Sequence, residues 1–120
     1  MRKKVTTERE DFASYRYGAK VRNIWFDLSF PEFIAIRIQE CFYCGGVAMV
    51  ERRSLNSETK KLEIVLRNGI DRLDNDSGYI KENCVPCCKW CNLMKSNMSL
   101  EEFFKRITQI YNLHIREATI

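Results

Sequence analysis

Two pairs of cysteines, each with two residues between its members, constrain this chain more than any other feature of its sequence. The pairs are Cys41 with Cys44 and Cys88 with Cys91. Four thiolates in two such pairs suit a closed tetrahedral site for Zn²⁺, because the short spacing lets both sulfurs of a pair reach one ion. The pairs are separated by 43 residues, more than in a simple zinc ribbon. The sequence therefore predicts a structural zinc site that encloses a small inserted substructure.

A third pair with the same spacing, Cys84 and Cys87, competes with the second zinc pair. The Cys88 pair is preferred because Cys91 directly precedes a helix-compatible stretch, and the alternative is that the cysteines are buried, unligated thiols. The chain has six cysteines in 120 residues and no recognisable secretory signal at its start. Metal binding in a reducing compartment is then expected rather than a disulfide framework, and the expected location is the cytoplasm. We also expect no association with a membrane, since no apolar run is long enough to span one.

Positive charge is concentrated near the N-terminus, where residues 1–26 contain seven basic and three acidic side chains and account for the net charge of +4. The S/T-x-x-E pattern from Thr7 to Glu10 predicts a helix that runs to about residue 20. Arg9, Arg16 and Lys20 fall on one face of that helix. This face is a candidate DNA-contacting surface, and the alternative is an ordinary solvated basic surface.

Further helix and strand signals follow along the chain. Capping patterns at Ser29 and Ser99 predict two more helices, each with a glutamate three residues later. Residues 51–60 are expected to form a polar loop, residues 61–66 and 70–73 two short strands, and Asn68-Gly69 a turn.

The ordered set CFYCG, IDRLDN, GYIKEN and CCKWCNLMK resembles the HNH endonucleases, in particular a compact phage-associated group with zinc knuckles on both sides of the catalytic hairpin. The resemblance covers most of the chain. It implies an α+β fold in which a ββα-metal finger, stapled by the four-cysteine zinc site, is flanked by N-terminal and C-terminal helices. The expected organisation is a basic helical region at 1–40, the zinc-stapled core at 41–98 and a helix at 99–120, together one compact domain.

The resemblance also implies roles for individual residues. Asp71 and Asn92 match the ligands of a catalytic Mg²⁺ or Mn²⁺, a role that suits oxygen donors. Asn83 matches an asparagine that pins the loop between the strands. Lys95, one helical turn after Asn92, is expected to meet a backbone phosphate.

Arg72 departs from the family pattern, because a histidine that acts as general base is expected directly after the aspartate. A guanidinium remains protonated near neutral pH and cannot accept a proton, although it can stabilise charge on a phosphate. Candidate replacements for the base are Asp74, Tyr79, His114 and water activated by the metal. Asp74 would share a strand face with Arg72 if the strand continues. Packing roles are the favoured interpretation of Tyr79 and His114.

Three functions fit these observations. The first is a metal-dependent DNA endonuclease or nickase, active in the host cytoplasm if phage-encoded, and a homodimer if both strands are cut. The second is a zinc-containing nucleic-acid-binding module whose chemistry is impaired by Arg72. The third is a phage-encoded protein-interaction domain on the same scaffold.

Overall fold

The computed structural model describes residues 5–116, which form helices and short antiparallel strands. The elements are α1 (Glu8–Val21), α2 (Phe30–Arg37), β1 (Val50–Leu55), β2 (Leu62–Arg67), β3 (Gly69–Arg72), β4 (Cys84–Cys87), α3 (Lys89–Lys95) and α4 (Leu100–Ile110). A 3₁₀ turn (Lys81–Asn83) precedes β4, and a π-helical segment (Tyr111–Ile115) follows α4. The predicted α+β class is therefore confirmed. Three of the basic residues counted above, Arg2, Lys3 and Lys4, lie outside the described residues.

The predicted helix starts are confirmed by their caps. Thr7 and Ser29 form complete capping boxes, in which the N-cap side chain and the glutamate three residues later bond each other's backbone N–H groups. Ser99 accepts a hydrogen bond from the backbone of Glu102 and caps α4. Each cap satisfies N–H groups that the first helical turn leaves without partners, which is why these helices begin where they do.

The strands form two separate hairpins. β1 pairs antiparallel with β2 from Val50 opposite Arg67 to Leu55 opposite Leu62. β3 pairs antiparallel with β4, and β4 leads directly into α3, so β3, β4 and α3 make a ββα unit. The second strand of this unit lies at Cys84–Cys87, where the sequence pattern did not predict a strand.

The expectation of a polar loop at 51–60 is wrong, because its first half is strand β1. Alternate side chains of a strand face the same side, and on β1 that side meets α1. Arg52 forms an ion pair with Asp11, and Ser54 donates a hydrogen bond to Glu8. Ion pairs and hydrogen bonds therefore attach β1 to α1, in place of the apolar packing that usually holds a strand against a core.

The expected turn at Asn68-Gly69 is also wrong, since Asn68 alone separates β2 from β3 and Gly69 is the first residue of β3. Asn68 is fully buried. Its backbone N–H donates to the carbonyl of Arg37, and its side-chain amide donates to the carbonyl of Gln39. The asparagine therefore joins the two hairpins to the end of α2 rather than reversing the chain.

Aromatic side chains fill the main core, between α1, α2 and the β3–β4 hairpin. Tyr15 packs edge-on against Phe33 and Tyr79, with ring centroids 5.2 and 6.0 Å apart. Phe12 makes edge contacts with three rings of this core, those of Phe26, Phe30 and Phe33. This core fixes the helical N-terminal region against the ββα unit.

A buried polar network attaches the first hairpin to the helices. Asp11 pairs with Arg37 at 2.9 Å and with Arg52, and Glu8 pairs with Arg67. Arg37 also donates from Nε to the carbonyl of Asn68 at 2.7 Å. Buried charges are tolerated only with such partners, so this network specifies how the first hairpin docks. Within residues 5–116, no helix has both the length and the apolar composition needed to cross a bilayer.

Candidate functional site

The two predicted zinc pairs come together in the folded chain. The sulfurs of Cys41, Cys44, Cys88 and Cys91 all lie within 4.8 Å of one another. The first knuckle (residues 41–44) is a tight turn, in which the N–H of Gly45 donates to the carbonyl of Cys41 at 2.9 Å. The second knuckle (residues 88–91) is the start of α3, where Cys88 is the N-cap. This cysteine cluster could hold a metal ion such as zinc.

Electrostatics favours a cation among these four sulfurs. Burial opposes ionisation of Cys41, but hydrogen bonds from the backbone of Cys88, Cys44 and Tyr43 outweigh it and lower the pKa of this thiol to about 6. Burial, followed by the neighbouring sulfurs, raises the pKa of Cys91. Four thiolates at this separation repel one another strongly unless a divalent ion lies between them. Soft sulfur ligands in a closed set of four suit Zn²⁺.

The competing pair, Cys84 and Cys87, lies in strand β4 and not in a knuckle. Residues three apart on a strand point to opposite faces, so these two sulfurs do not converge on one ion. Cys84 belongs to the aromatic core, and Cys87 packs beside the cysteine cluster. Burial is the largest factor that raises the pKa of each of the two thiols to about 12.

Asp71 lies in β3 of the ββα unit and is held from two sides. The hydroxyl of Tyr43, in the first knuckle, donates a hydrogen bond to Oδ2 of Asp71. The ammonium of Lys95, at the end of α3, lies 3.0 Å from the same oxygen. Burial, followed by the hydrogen bond to Asp71, raises the pKa of Tyr43, so its hydroxyl remains a donor. Oδ1 of Asp71 accepts no hydrogen bond from residues 5–116.

The position of Lys95 does not fit its expected role as a phosphate contact. Its side chain is 0% exposed, and its ammonium also approaches the carbonyl of Arg72 at 3.4 Å. A lysine one turn after Asn92 faces the strands here, because α3 ends against β3. The ammonium therefore supports Asp71 and the strand end from inside the protein.

Asn92 is exposed on α3, and its side chain forms no hydrogen bond within the described part of the chain. It lines a cavity of about 230 Å³ together with Asp11, Arg37, Arg52 and Lys89. Three cations and one carboxylate thus surround this cavity. No hydrogen bond joins Asn92 to Asp71 among residues 5–116.

Arg72 and Asn83 hold the loop that links β3 to β4 (residues 73–83). Nη1 of Arg72 donates to the carbonyls of Asn75 and Ser77 at 2.8 and 2.7 Å. The Asn83 side chain accepts from the N–H of Asp74 and donates to the carbonyls of Asp74 and Gly78, at 2.9 to 3.0 Å. These are hydrogen bonds of the kind that the resemblance implies for Asn83.

The three side chains considered as replacement bases have different surroundings. β3 ends at Arg72, so Asp74 is an exposed loop residue and shares no strand face with Arg72. Tyr79 is buried in the aromatic core and its hydroxyl accepts a hydrogen bond from Arg22 at 3.1 Å. His114 is exposed in the π-helical segment and forms no hydrogen bond or ion pair with residues 5–116. The packing role expected for His114 is therefore wrong.

The basic residues of α1 are all exposed, and two of them lie over aromatic rings. The guanidinium of Arg9 lies over the ring of Phe30, 3.9 Å from its centroid. Arg16 and Lys20 are exposed and line a cleft at the C-terminal half of the helix. Trp90, in the second knuckle, is 57% exposed.

One comparison with known proteins finds a similar fold. No family model matches the chain. The uncharacterized protein R423 of Acanthamoeba polyphaga mimivirus is 31% identical over 111 residues, which are 92% of this chain and 18% of that protein. The chain thus spans about a fifth of the length of this viral relative. The solved structure of the HNH restriction endonuclease PacI matches 88% of this chain and 79% of its own, with a TM-score of 0.55 and 21% identity. At that identity the likeness shows the fold alone, which is an HNH-like α+β fold.

Proposed function

We propose that this chain is a metal-dependent DNA endonuclease or nickase. The observation that supports it best is the ββα unit itself, which the cysteine cluster closes and which carries a braced carboxylate, Asp71, on its first strand. The fold that the chain shares with an HNH restriction endonuclease is one that can carry this function. In this proposal the zinc at the cysteine cluster is structural.

The catalytic Mg²⁺ or Mn²⁺ would be held by Asp71 and Asn92. Oδ1 of Asp71 and the side-chain oxygen of Asn92 accept no hydrogen bond from residues 5–116, and oxygen donors of this kind suit a hard cation. When bound, such an ion neutralises charge on the scissile phosphate and on the departing 3′ oxygen. The remaining ligands would be water molecules and phosphate oxygens.

The chain's own residues would position the substrate and the site. The exposed Lys89, which lines the cavity beside Asn92, favours a backbone phosphate there. Arg72 and Asn83 keep the β3–β4 loop in one conformation. Hydrolysis forms a bond from a water oxygen to phosphorus and breaks the bond to the 3′ oxygen, which takes up a proton and leaves a 5′-phosphate on the other strand end. A single finger cuts one strand, so cutting both would require two copies.

A plasmid-nicking assay tests this proposal. Zinc-replete protein is incubated with supercoiled plasmid and Mg²⁺ or Mn²⁺, alongside Asp71→Asn. We expect nicking by the native chain and at least about a 100-fold loss in the variant, since a metal ligand contributes several kcal/mol to transition-state stabilisation. Asp76→Asn is the matched control, because Asp76 is exposed in the β3–β4 loop and its carboxylate has no hydrogen bond within residues 5–116. Zinc content and circular dichroism must show that Asp71→Asn is folded.

The endonuclease proposal would be refuted if the native chain failed to nick at every metal concentration, or if folded Asp71→Asn nicked as fast as the native chain. Replacing Arg72 with histidine adds a second test. Increased cleavage would show that a general base is missing, whereas decreased cleavage would show that the loop contacts of Arg72 are needed.

A nucleic-acid-binding module without cleavage is the second candidate function. The ion pair between Asp71 and buried Lys95 favours it, because the ammonium neutralises the carboxylate that a metal would need. Salt-dependent DNA binding by a protein that never nicks DNA would establish this function.

A further inference from the structure

The segment after α1 carries an indole that the fold exposes on a fixed backbone. Trp25 is 70% exposed. Its carbonyl accepts a hydrogen bond from the N–H of Tyr79 at 2.7 Å, and Phe26 forms a β-bridge with Tyr79. A Cβ on Gly78 would lie 2.4 Å from the Trp25 carbonyl oxygen, so only glycine permits this close approach. The exposure of the indole is therefore built into the fold and does not come from a loosely held segment.

A cleft of about 430 Å³ lies beside this indole. Its lining residues are Arg16, Lys20, Asn23, Ile24, Trp25 and Phe26. No carboxylate lines it, and neither Arg16 nor Lys20 forms an ion pair with any residue between 5 and 116. The side chain of Tyr17, 71% exposed, lines an adjoining hollow with the same two cations. The cleft thus combines unneutralised positive charge with exposed aromatic surface.

These properties match the chemistry of a nucleotide whose base is not paired. Base–aromatic stacking contributes about 1–3 kcal/mol per base, and cations along the groove follow the phosphates. A base inside a duplex has both faces covered and cannot stack on a fixed indole. We propose that this cleft binds an unpaired nucleotide of a DNA strand, with its base on Trp25 and its phosphate near Arg16 and Lys20.

The cleft lies next to the β3–β4 loop, so this inference extends the proposed endonuclease function and rests on it for the choice of DNA. Arg22, at the end of α1, donates to the hydroxyl of Tyr79 at 3.1 Å. The guanidinium carbon of Arg72 lies 5.4 Å from the centroid of the same ring. Trp25 and Arg72 thus contact the same buried tyrosine, Trp25 through its backbone carbonyl and Arg72 over the ring.

Binding of a thymidine octamer, (dT)₈, tests the site. The chain has two tryptophans, so Trp90→Phe leaves Trp25 as the sole indole, and we expect its fluorescence to be quenched saturably by (dT)₈. By anisotropy of a labelled strand, Trp25→Ala should weaken binding about 5- to 150-fold, the equivalent of one lost stacking contact. Trp25→Phe should retain most of the affinity. Trp90→Ala, which removes an exposed indole outside the cleft, is the matched control and should bind normally.

An abasic octamer separates stacking from charge. Trp25→Ala should bind it as well as the native chain does, whereas Arg16→Gln and Lys20→Gln should weaken both strands. The proposal would be overturned if Trp25→Ala weakened binding of (dT)₈ and of the abasic octamer equally, or weakened binding of neither. Tighter binding of a uridine RNA octamer than of (dT)₈ would overturn the assignment to DNA. A protein that never nicks plasmid but shows these Trp25 effects keeps the nucleotide site and loses the endonuclease function. If the native protein nicks plasmid and Trp25→Ala binds (dT)₈ as tightly as the native chain, the endonuclease function stands and the nucleotide site is refuted.

Discussion

Replacing Lys95 with methionine should destabilise the fold by about 3 kcal/mol, because it leaves the carboxylate of Asp71 without its ion-pair partner. The side chains of this pair are 0% and 11% exposed. Removing one partner of a buried pair costs roughly 3–5 kcal/mol. We expect the lower end, since Tyr43 still donates to Asp71 and methionine fills the space of the lysine stem. For a chain of this size each kcal/mol corresponds to about 4 °C, so Tm should fall by about 12 °C.

Urea unfolding followed by circular dichroism, at a fixed zinc concentration, measures this change. The double variant Lys95→Met with Asp71→Asn should recover most of the loss, because a neutral pair in the same space costs little. Lys89→Met, an exposed lysine on the same helix, should change the free energy of unfolding by less than about 0.5 kcal/mol. If Lys95→Met matches that control, or if the double variant loses the sum of both single effects, the ion pair does not support the fold as argued.

Two further predictions concern the metal and the loop. Native mass spectrometry should find one zinc per chain, lost in Cys88→Ser and retained in Cys84→Ser, because only Cys88 belongs to the cysteine cluster. The opposite pattern would show that Cys84 and Cys87 form the second zinc pair. Gly78→Ala should lower the free energy of unfolding by about 1–3 kcal/mol, since its Cβ would meet the backbone of Trp25. Gly18→Ala has open space in α1 and should instead stabilise by up to about 1 kcal/mol, which thermal unfolding can compare directly; similar effects for the two glycines would contradict the steric argument.

Helix starts and the metal cluster could be predicted from the sequence because both depend on local patterns. Thr7 and Ser29 meet their glutamates within one helical turn, so the spacing alone specifies the contact. The cysteine pairs are likewise local, and tetrahedral coordination joins them whatever lies between. The choice between the pair at Cys84 and the pair at Cys88 could not be made from the spacing alone. It depends on where β4 ends, since the same spacing converges in a turn and diverges in a strand.

Strand β1 escaped prediction because its partners are far away in the sequence. In the sequence, Arg52 and Ser54 are typical of a loop. In the fold they contact Asp11 and Glu8 of α1. A strand whose inner face is polar has no apolar alternation to reveal it. The same holds for Lys95, whose burial follows from a carboxylate 24 positions earlier in the chain. Contacts between charged residues distant in sequence were thus the part that sequence reasoning could not supply.

The structure also connects the cysteine cluster to Asp71, a link that the spacing of the cysteines in the sequence did not indicate. Both groups that hold the Asp71 carboxylate come from the zinc knuckles, Tyr43 from inside the first and Lys95 from the helix that begins at the second. If metal at the cluster fixes both knuckles, it also fixes the orientation of this carboxylate. Loss of zinc should therefore weaken any activity that depends on Asp71, even where the ββα unit remains folded. The cluster then acts as a clamp on the carboxylate as well as a staple for the fold.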